Sequence, residues 1–156
     1  MKEPAVESLL SDDDIYLFNE GTHRRMGDKL GAHLRPGGGV IFGVWAPNAV
    51  RVSVIGDFNH WNPEADPLQP RSGSGIWEGS VDRAAPGDVY KFAITLPSGA
   101  VLEKADPFAR CTENPPLTGS VVWDLDYQWG DGDWLATRGG RNRLDAPISV
   151  YEVHLG

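Results

Sequence analysis

Val89 to Leu96 alternates strictly, and that alternation is the strongest constraint on what this chain can become. Tyr90, Phe92, Ile94 and Leu96 fall on one side, and Val89, Lys91, Ala93 and Thr95 on the other. A period of two means a strand with one buried face. Similar runs recur at Val40–Ala46, Val50–Ile55, Ile76–Val81, Ala100–Glu103 and Ser120–Trp123. Between them lie Pro- and Gly-containing turns, such as Pro47-Asn48, Ala85-Pro86-Gly87-Asp88 and Pro97-Ser98-Gly99. With 19 Gly and 12 Pro, the chain favours short strands over long helices. The expected fold is all-β, an immunoglobulin-like antiparallel β-sandwich. Val40–Ala46 and Val50–Ile55 are expected to form a hairpin across Pro47-Asn48.

The remaining segments flank this sheet region. Residues 1–14 are expected to be an acidic disordered tail ending in Ser11-Asp12-Asp13-Asp14. Residues 15–35 predict one short helix, capped by Thr22, with Met26 and Leu30 on one face and Gly31 as its stop. The sandwich is expected over 36–126 and a Gly- and Arg-rich linker over 127–147. Ile148 to Gly156 reads as a complete apolar strand after that linker, the first strand of a further domain cut short.

Composition excludes several partners. A net charge of −8 leaves no cationic excess for nucleic acid or for an anionic membrane surface. No apolar run reaches membrane-spanning length, and the acidic stretch after Met1-Lys2-Glu3-Pro4 lacks the basic and apolar halves expected of a signal peptide. A cytoplasmic protein with a lone cysteine, Cys111, is the expectation. His23, His33, His60 and His154 lack metal-ligand spacing. The glycine runs at 37–39 and 139–140 lack the Gly-Lys-Ser/Thr of a phosphate loop. Asp57, Asp88 and Asp106 read as turn caps rather than as a catalytic carboxylate pair.

The chemistry concentrates in Gly56-Asp57-Phe58-Asn59-His60-Trp61-Asn62, a polar turn after a strand. A tryptophan in such a turn can present a flat face to the axial C–H groups of a sugar, while neighbouring amides such as Asn62 meet hydroxyls. Lys91 projects from the strand face opposite Tyr90. It is either a solvated strand lysine or an ammonium donor to the same ligand. Trp45 and Trp77, inside strands, are expected in the core. Trp129 and Trp134 are expected to pin an irregular acidic segment to a neighbouring surface.

In order along the chain, these segments resemble the glycogen (1,4-α-glucan) branching enzymes. Tyr16-Leu17-Phe18-Asn19-Glu20-Gly21-Thr22 with Lys29-Leu30-Gly31-Ala32-His33 is similar to the start of that family's pattern. Phe42-Gly43-Val44-Trp45-Ala46-Pro47-Asn48-Ala49 and the Gly56–Asn62 turn resemble its family-48-type glucan-binding module. Lys104-Ala105-Asp106-Pro107-Phe108-Ala109 resembles a further signature, and Ser149–Gly156 the first strand of an α-amylase-type barrel. The resemblance implies a non-catalytic module for α-1,4-glucans such as glycogen and maltooligosaccharides, with the catalytic barrel as intramolecular partner. It implies no metal or organic cofactor. Trp61 and Lys91 match sugar contacts of related modules, and Ser120 matches a small hydroxyl contact. The aromatic expected near Val101–Glu103 as a second platform is missing. The competing expectation is a domain that packs on the barrel and has little sugar affinity.

Overall fold

The computed structural model describes residues 8–71, 73–141 and 143–156. It divides into two compact units, Met1–Asp124 and Leu125–Gly156. In the first, helix α1 spans Asp12–Glu20. Strands follow in chain order: β1 Gly31–Leu34, β2 Val40–Trp45, β3 Arg51–Gly56, β4 Gln69–Arg71 and β5 Ile76–Val81. Then come β6 Val89–Thr95, β7 Val101–Lys104, β8 Cys111–Thr112 and β9 Ser120–Val121. All the pairings are antiparallel. One sheet runs β1-β2-β5-β4. The other runs β3-β6-β9-β8, with β7 also paired to β6. No helix among the described residues is long and apolar enough to cross a membrane.

The two sheets face each other across one apolar core. Val40, Phe42 and Val44 of β2 meet Val52 and Val54 of β3 and Tyr90 and Phe92 of β6. This is the face that the alternation of β6 predicts. Phe42 is the junction, its ring centroid 5.0 Å from Tyr90 and 5.7 Å from Phe58. A hairpin between β2 and β3 does not form. Ala46–Ala49 makes a turn, closed by the Ala49 N–H to the Ala46 carbonyl at 3.1 Å, and carries the chain into the opposite sheet. Both strands then bury one face against the other sheet, which a hairpin would not allow. Residues 66–68 lie along the free edge of β3, where the Val54 N–H donates to the Asp66 carbonyl and the Leu68 N–H to the Val52 carbonyl.

The N-terminal region departs most from expectation. The acidic run is not a tail: Asp12, Asp13 and Asp14 form the first turn of α1, where their charge meets the helix dipole. Ser11 caps it. Its hydroxyl accepts the Asp14 N–H at 3.1 Å, and the Asp14 carboxylate accepts the Ser11 N–H at 2.8 Å, a capping box. Gly21 ends the helix in the left-handed conformation at φ 75°. Thr22 therefore starts no helix and instead closes the end of α1, its N–H donating to the Leu17 carbonyl at 3.0 Å; Met26–Asp28 is a single 3-10 turn, and Gly31 opens β1. Met26 and Leu30 do share a buried cluster, with Leu10 and Ile76 and with Ile15 and Phe18 of α1. That cluster covers the outer face of the β1-β2-β5-β4 sheet. Residues 1–7 of the expected tail lie outside the described residues.

Trp77 meets the core, as expected, and its Nε1–H donates to the Ala46 carbonyl at 3.1 Å. Trp45 does not. It sits at the end of β2 on the outer face, 54% exposed, with its Nε1–H on the Ser74 carbonyl and its ring edge-on to Phe18.

In the second unit a helix, α2 Gly132–Arg141, replaces much of the expected linker. Asp133 in its first turn and Arg138 and Arg141 in its last complement the dipole, which offsets Gly139 and Gly140. Trp134 lies under the Arg138 guanidinium at 5.8 Å, and Trp129 packs edge-on against Tyr127. These contacts are internal to the segment. Residues 148–156 form no strand among the described residues, and the apolar side chains of Ile148, Val150, Tyr151, Val153 and Leu155 are exposed.

Phe42→Ala is expected to cost about 3–5 kcal/mol, because it empties the junction between both sheets and the Phe58 turn. Urea unfolding followed by near-ultraviolet circular dichroism checks this.

Candidate functional site

The Trp61 turn is built from the end of β3. At Gly56 the chain passes so close to β6 that a Cβ would lie 2.4 Å from the Val89 carbonyl oxygen, so only glycine fits. Asp57–Asn59 then makes one 3-10 turn. Asn59 is buried and ties the turn down. Its Oδ1 accepts the Gly56 N–H at 2.9 Å, and its Nδ2 donates to the Val54 carbonyl at 3.0 Å and to Asp66 Oδ2 at 2.6 Å. Arg83 adds a brace from outside, with Nε on the Phe58 carbonyl at 2.8 Å and Nη2 on Asp66 at 2.5 Å. His60 and Trp61 are both left-handed, at φ 55° and 60°. Two consecutive non-glycine residues there carry strain that the surrounding bonds must hold.

That backbone leaves the Trp61 side chain 37% exposed. Its Nε1–H donates to Asp57 Oδ1 at 3.2 Å, and the other oxygen of the same carboxylate accepts the Val89 N–H at 3.0 Å. Asn62 is exposed at the end of the turn, and its Oδ1 accepts the Glu64 N–H at 2.9 Å. Lys91 lies on β6 directly opposite Ile55, the residue before Gly56. It is half-buried and faces away from the core, as the alternation requires. The β3–β6 register thus sets the lysine beside the strand end from which the Trp61 turn springs.

Ser120 does not join them. It is 0% exposed, and its Oγ accepts the Asp106 N–H at 2.8 Å. Its place in β9 beside Tyr90 buries a hydroxyl that looked available from the sequence. On β7, Val101 and Leu102 are exposed aliphatic side chains with no aromatic between them.

Two polar clusters escaped the reading of the sequence. In the first, the Tyr90 hydroxyl donates to Asp106 Oδ2 at 2.6 Å, and Asp106 Oδ1 accepts the Phe108 N–H at 2.8 Å. The second bond is the turn-capping role expected of Asp106. Burial pushes the Asp106 carboxyl above its ordinary range, against the pull of these donors, and raises the Tyr90 phenol as well. Nearby, His33 sets Nε2 2.9 Å from the Leu30 carbonyl and Nδ1 3.5 Å from Arg110 Nη2. A donor is needed toward the carbonyl and an acceptor toward the guanidinium, which defines a neutral imidazole. Burial, with Arg110 adding to it, lowers its pKa from 6.5. In the second cluster Asp14 takes His23 Nε2 at 2.9 Å and Lys29 Nζ at 2.9 Å. The His23 bond leads in holding the Asp14 carboxyl well below the usual range. Neither cluster carries a spacing motif: the first joins separate strands and loops, and the second joins α1 to the irregular segment after it.

Residues 29–109, just over half of the chain, match the family described as carbohydrate-binding module 48 (isoamylase N-terminal domain). The 1,4-α-glucan branching enzyme of Albidiferax ferrireducens is 53% identical over 150 residues, 95% of this chain and 24% of that protein. That of Aromatoleum aromaticum is 54% identical over 157 residues, 100% of this chain and 24% of that protein. The chain thus spans 24% of the length of these two curated relatives. Among solved structures, the Klebsiella pneumoniae pullulanase complexed with maltotriose aligns with a TM-score of 0.51 at 30% identity, over 64% of this chain and 10% of that one.

The lowered His33 pKa has a definite sign. Below 6.5 the unfolded chain binds a proton that folded His33 refuses, so this contribution is present above 6.5 and lost as pH falls. As pH falls below 6.5, urea-derived stability is expected to decline less steeply in His33→Gln than in the native chain.

Proposed function

Since the chain belongs to the carbohydrate-binding module 48 family, we propose that it is a non-catalytic α-glucan-binding module of a glycogen branching enzyme. The observation that carries this reading is the Trp61 ring, half in solvent on a braced turn, beside the strand that bears Lys91. The ring supplies a stacking face for a glucose unit. Lys91 donates to its hydroxyls, and Asn62 lies at the mouth of the same turn. The maltotriose in the related pullulanase supports a maltooligosaccharide as the ligand class.

The affinity follows from the chemistry. One stacked ring adds about 1 kcal/mol beyond its buried area. With β7 aliphatic where a second platform would stand, binding is expected near the millimolar range, about −4 kcal/mol.

The proposed whole protein transfers α-1,4-glucan chains to 6-hydroxyls in the cytoplasm, and residues 148–156 are proposed to supply a strand to its catalytic barrel. A second reading, packing on that barrel with little sugar affinity, draws on the exposed apolar side chains of 148–155.

A ¹⁵N NMR titration with maltoheptaose separates the two. The glucan reading expects saturable shifts at Trp61 and Lys91 that vanish in Trp61→Ala. It also expects Lys91→Ala to weaken binding roughly threefold to tenfold. A folded chain with no shifts at millimolar sugar would establish the packing reading instead.

A further inference from the structure

We propose that Asp57 is the positioning residue of the sugar site, locking the Trp61 ring and the Lys91 strand into one frame; the proposal rests on the glucan-binding reading above. One carboxylate makes both connections, with Oδ1 accepting the indole N–H and Oδ2 accepting the Val89 N–H, at 3.2 and 3.0 Å. Val89 and Lys91 are two residues apart on β6, so they share a face about 7 Å apart. The ring and the lysine are therefore referenced to the same short stretch of strand through a single side chain.

Asp57 does not work alone on the ring. The Trp61 N–H is held by the Gly56 carbonyl at 3.0 Å, and the left-handed backbone at His60 and Trp61 sets the direction in which the side chain leaves. Those restraints aim the Cα–Cβ bond. The Asp57 bond acts at the far side of the indole, where it stops rotation about the side-chain torsions.

A second consequence concerns the ligand. With its N–H already bonded within the turn, the indole offers a ligand its face and not a hydrogen-bond donor. Recognition at the ring then depends on a pyranose with a continuous apolar C–H face. Hydroxyl recognition falls to Lys91 and the turn amides.

The test is a double-mutant cycle with Trp61→Phe, which keeps an aromatic face but has no N–H for Asp57 to hold. Maltoheptaose affinity is measured by ¹⁵N NMR for the native chain, Asp57→Ala, Trp61→Phe and the double variant. Asp57→Ala is expected to weaken binding roughly twofold to tenfold, the cost of ordering one freed side chain. Adding Asp57→Ala to Trp61→Phe should then change little. In Asp57→Ala the Trp61 indole N–H should exchange faster with solvent and move in chemical shift.

An equal loss in both backgrounds would overturn the proposal, because Asp57 would then be acting on the turn and not through the ring. So would an unchanged indole resonance, or native affinity in Asp57→Ala. Asp57→Ser, whose side chain ends short of the ring, is read in the same way if the alanine variant does not fold. If the native chain binds no maltoheptaose, the glucan reading fails and takes the sugar-site role of Asp57 with it, whereas native binding with unchanged affinity in Asp57→Ala overturns the Asp57 role alone.

Discussion

The antiparallel register of β3 on β6 underlies both the core and the candidate site. It pairs Val54 with Phe92, Ile55 with Lys91 and Gly56 with Tyr90. Because side chains alternate, a slip of one residue would turn Lys91 inward and Tyr90 outward. It would also move Gly56 away from the Val89 carbonyl, which leaves no room for a Cβ there. The register is held from both sides. Phe42 packs against Tyr90 from the opposite sheet, and the Tyr90 hydroxyl is anchored on buried Asp106. A burial-raised carboxyl is an expensive anchor, but it meets a phenol that would otherwise be left without a partner.

The turn that follows is strained and heavily braced. Left-handed backbone at His60 and Trp61 costs on the order of 1–3 kcal/mol each. Asn59, Arg83 and Asp57 oppose that cost with hydrogen bonds to Gly56, Val54, Phe58, Asp66 and Val89. The energy is spent in folding and not in binding. A ring that is already aimed loses less entropy when a ligand arrives, which matters most for a site with a single aromatic platform.

Much of the fold was legible because burial imposes a period on sequence. Val89–Thr95, Ile76–Val81 and Arg51–Gly56 alternate, and each is a strand. Partner choice was not legible. Val40–Trp45 and Arg51–Gly56 are joined by a short turn and look like a hairpin, yet they lie in opposite sheets. Nothing local separates a turn that folds a strand back beside its neighbour from one that crosses a core. The acidic run at 12–14 reads as disordered by composition alone, whereas the Ser11–Asp14 capping box makes it a helix start. Trp45 looked buried because its neighbours in β2 are, although the cluster on that outer face leaves the end of the strand uncovered.

Sequence alone determined the alternating strands Arg51–Gly56, Ile76–Val81 and Val89–Thr95, the polar tryptophan turn and the outward direction of Lys91, since these follow from local periodicity and turn chemistry. Tertiary structure decided which of the candidate residues can meet a ligand. It buried Ser120 under the Asp106 N–H, and it brought Asp57, which reaches the Trp61 indole within its own turn, within hydrogen-bonding distance of the Val89 N–H on another strand. The physical reason is that exposure and hydrogen-bond partnership belong to pairs of segments far apart in the chain. Only the pairing of distant strands within the β3-β6-β9-β8 sheet brings those segments together.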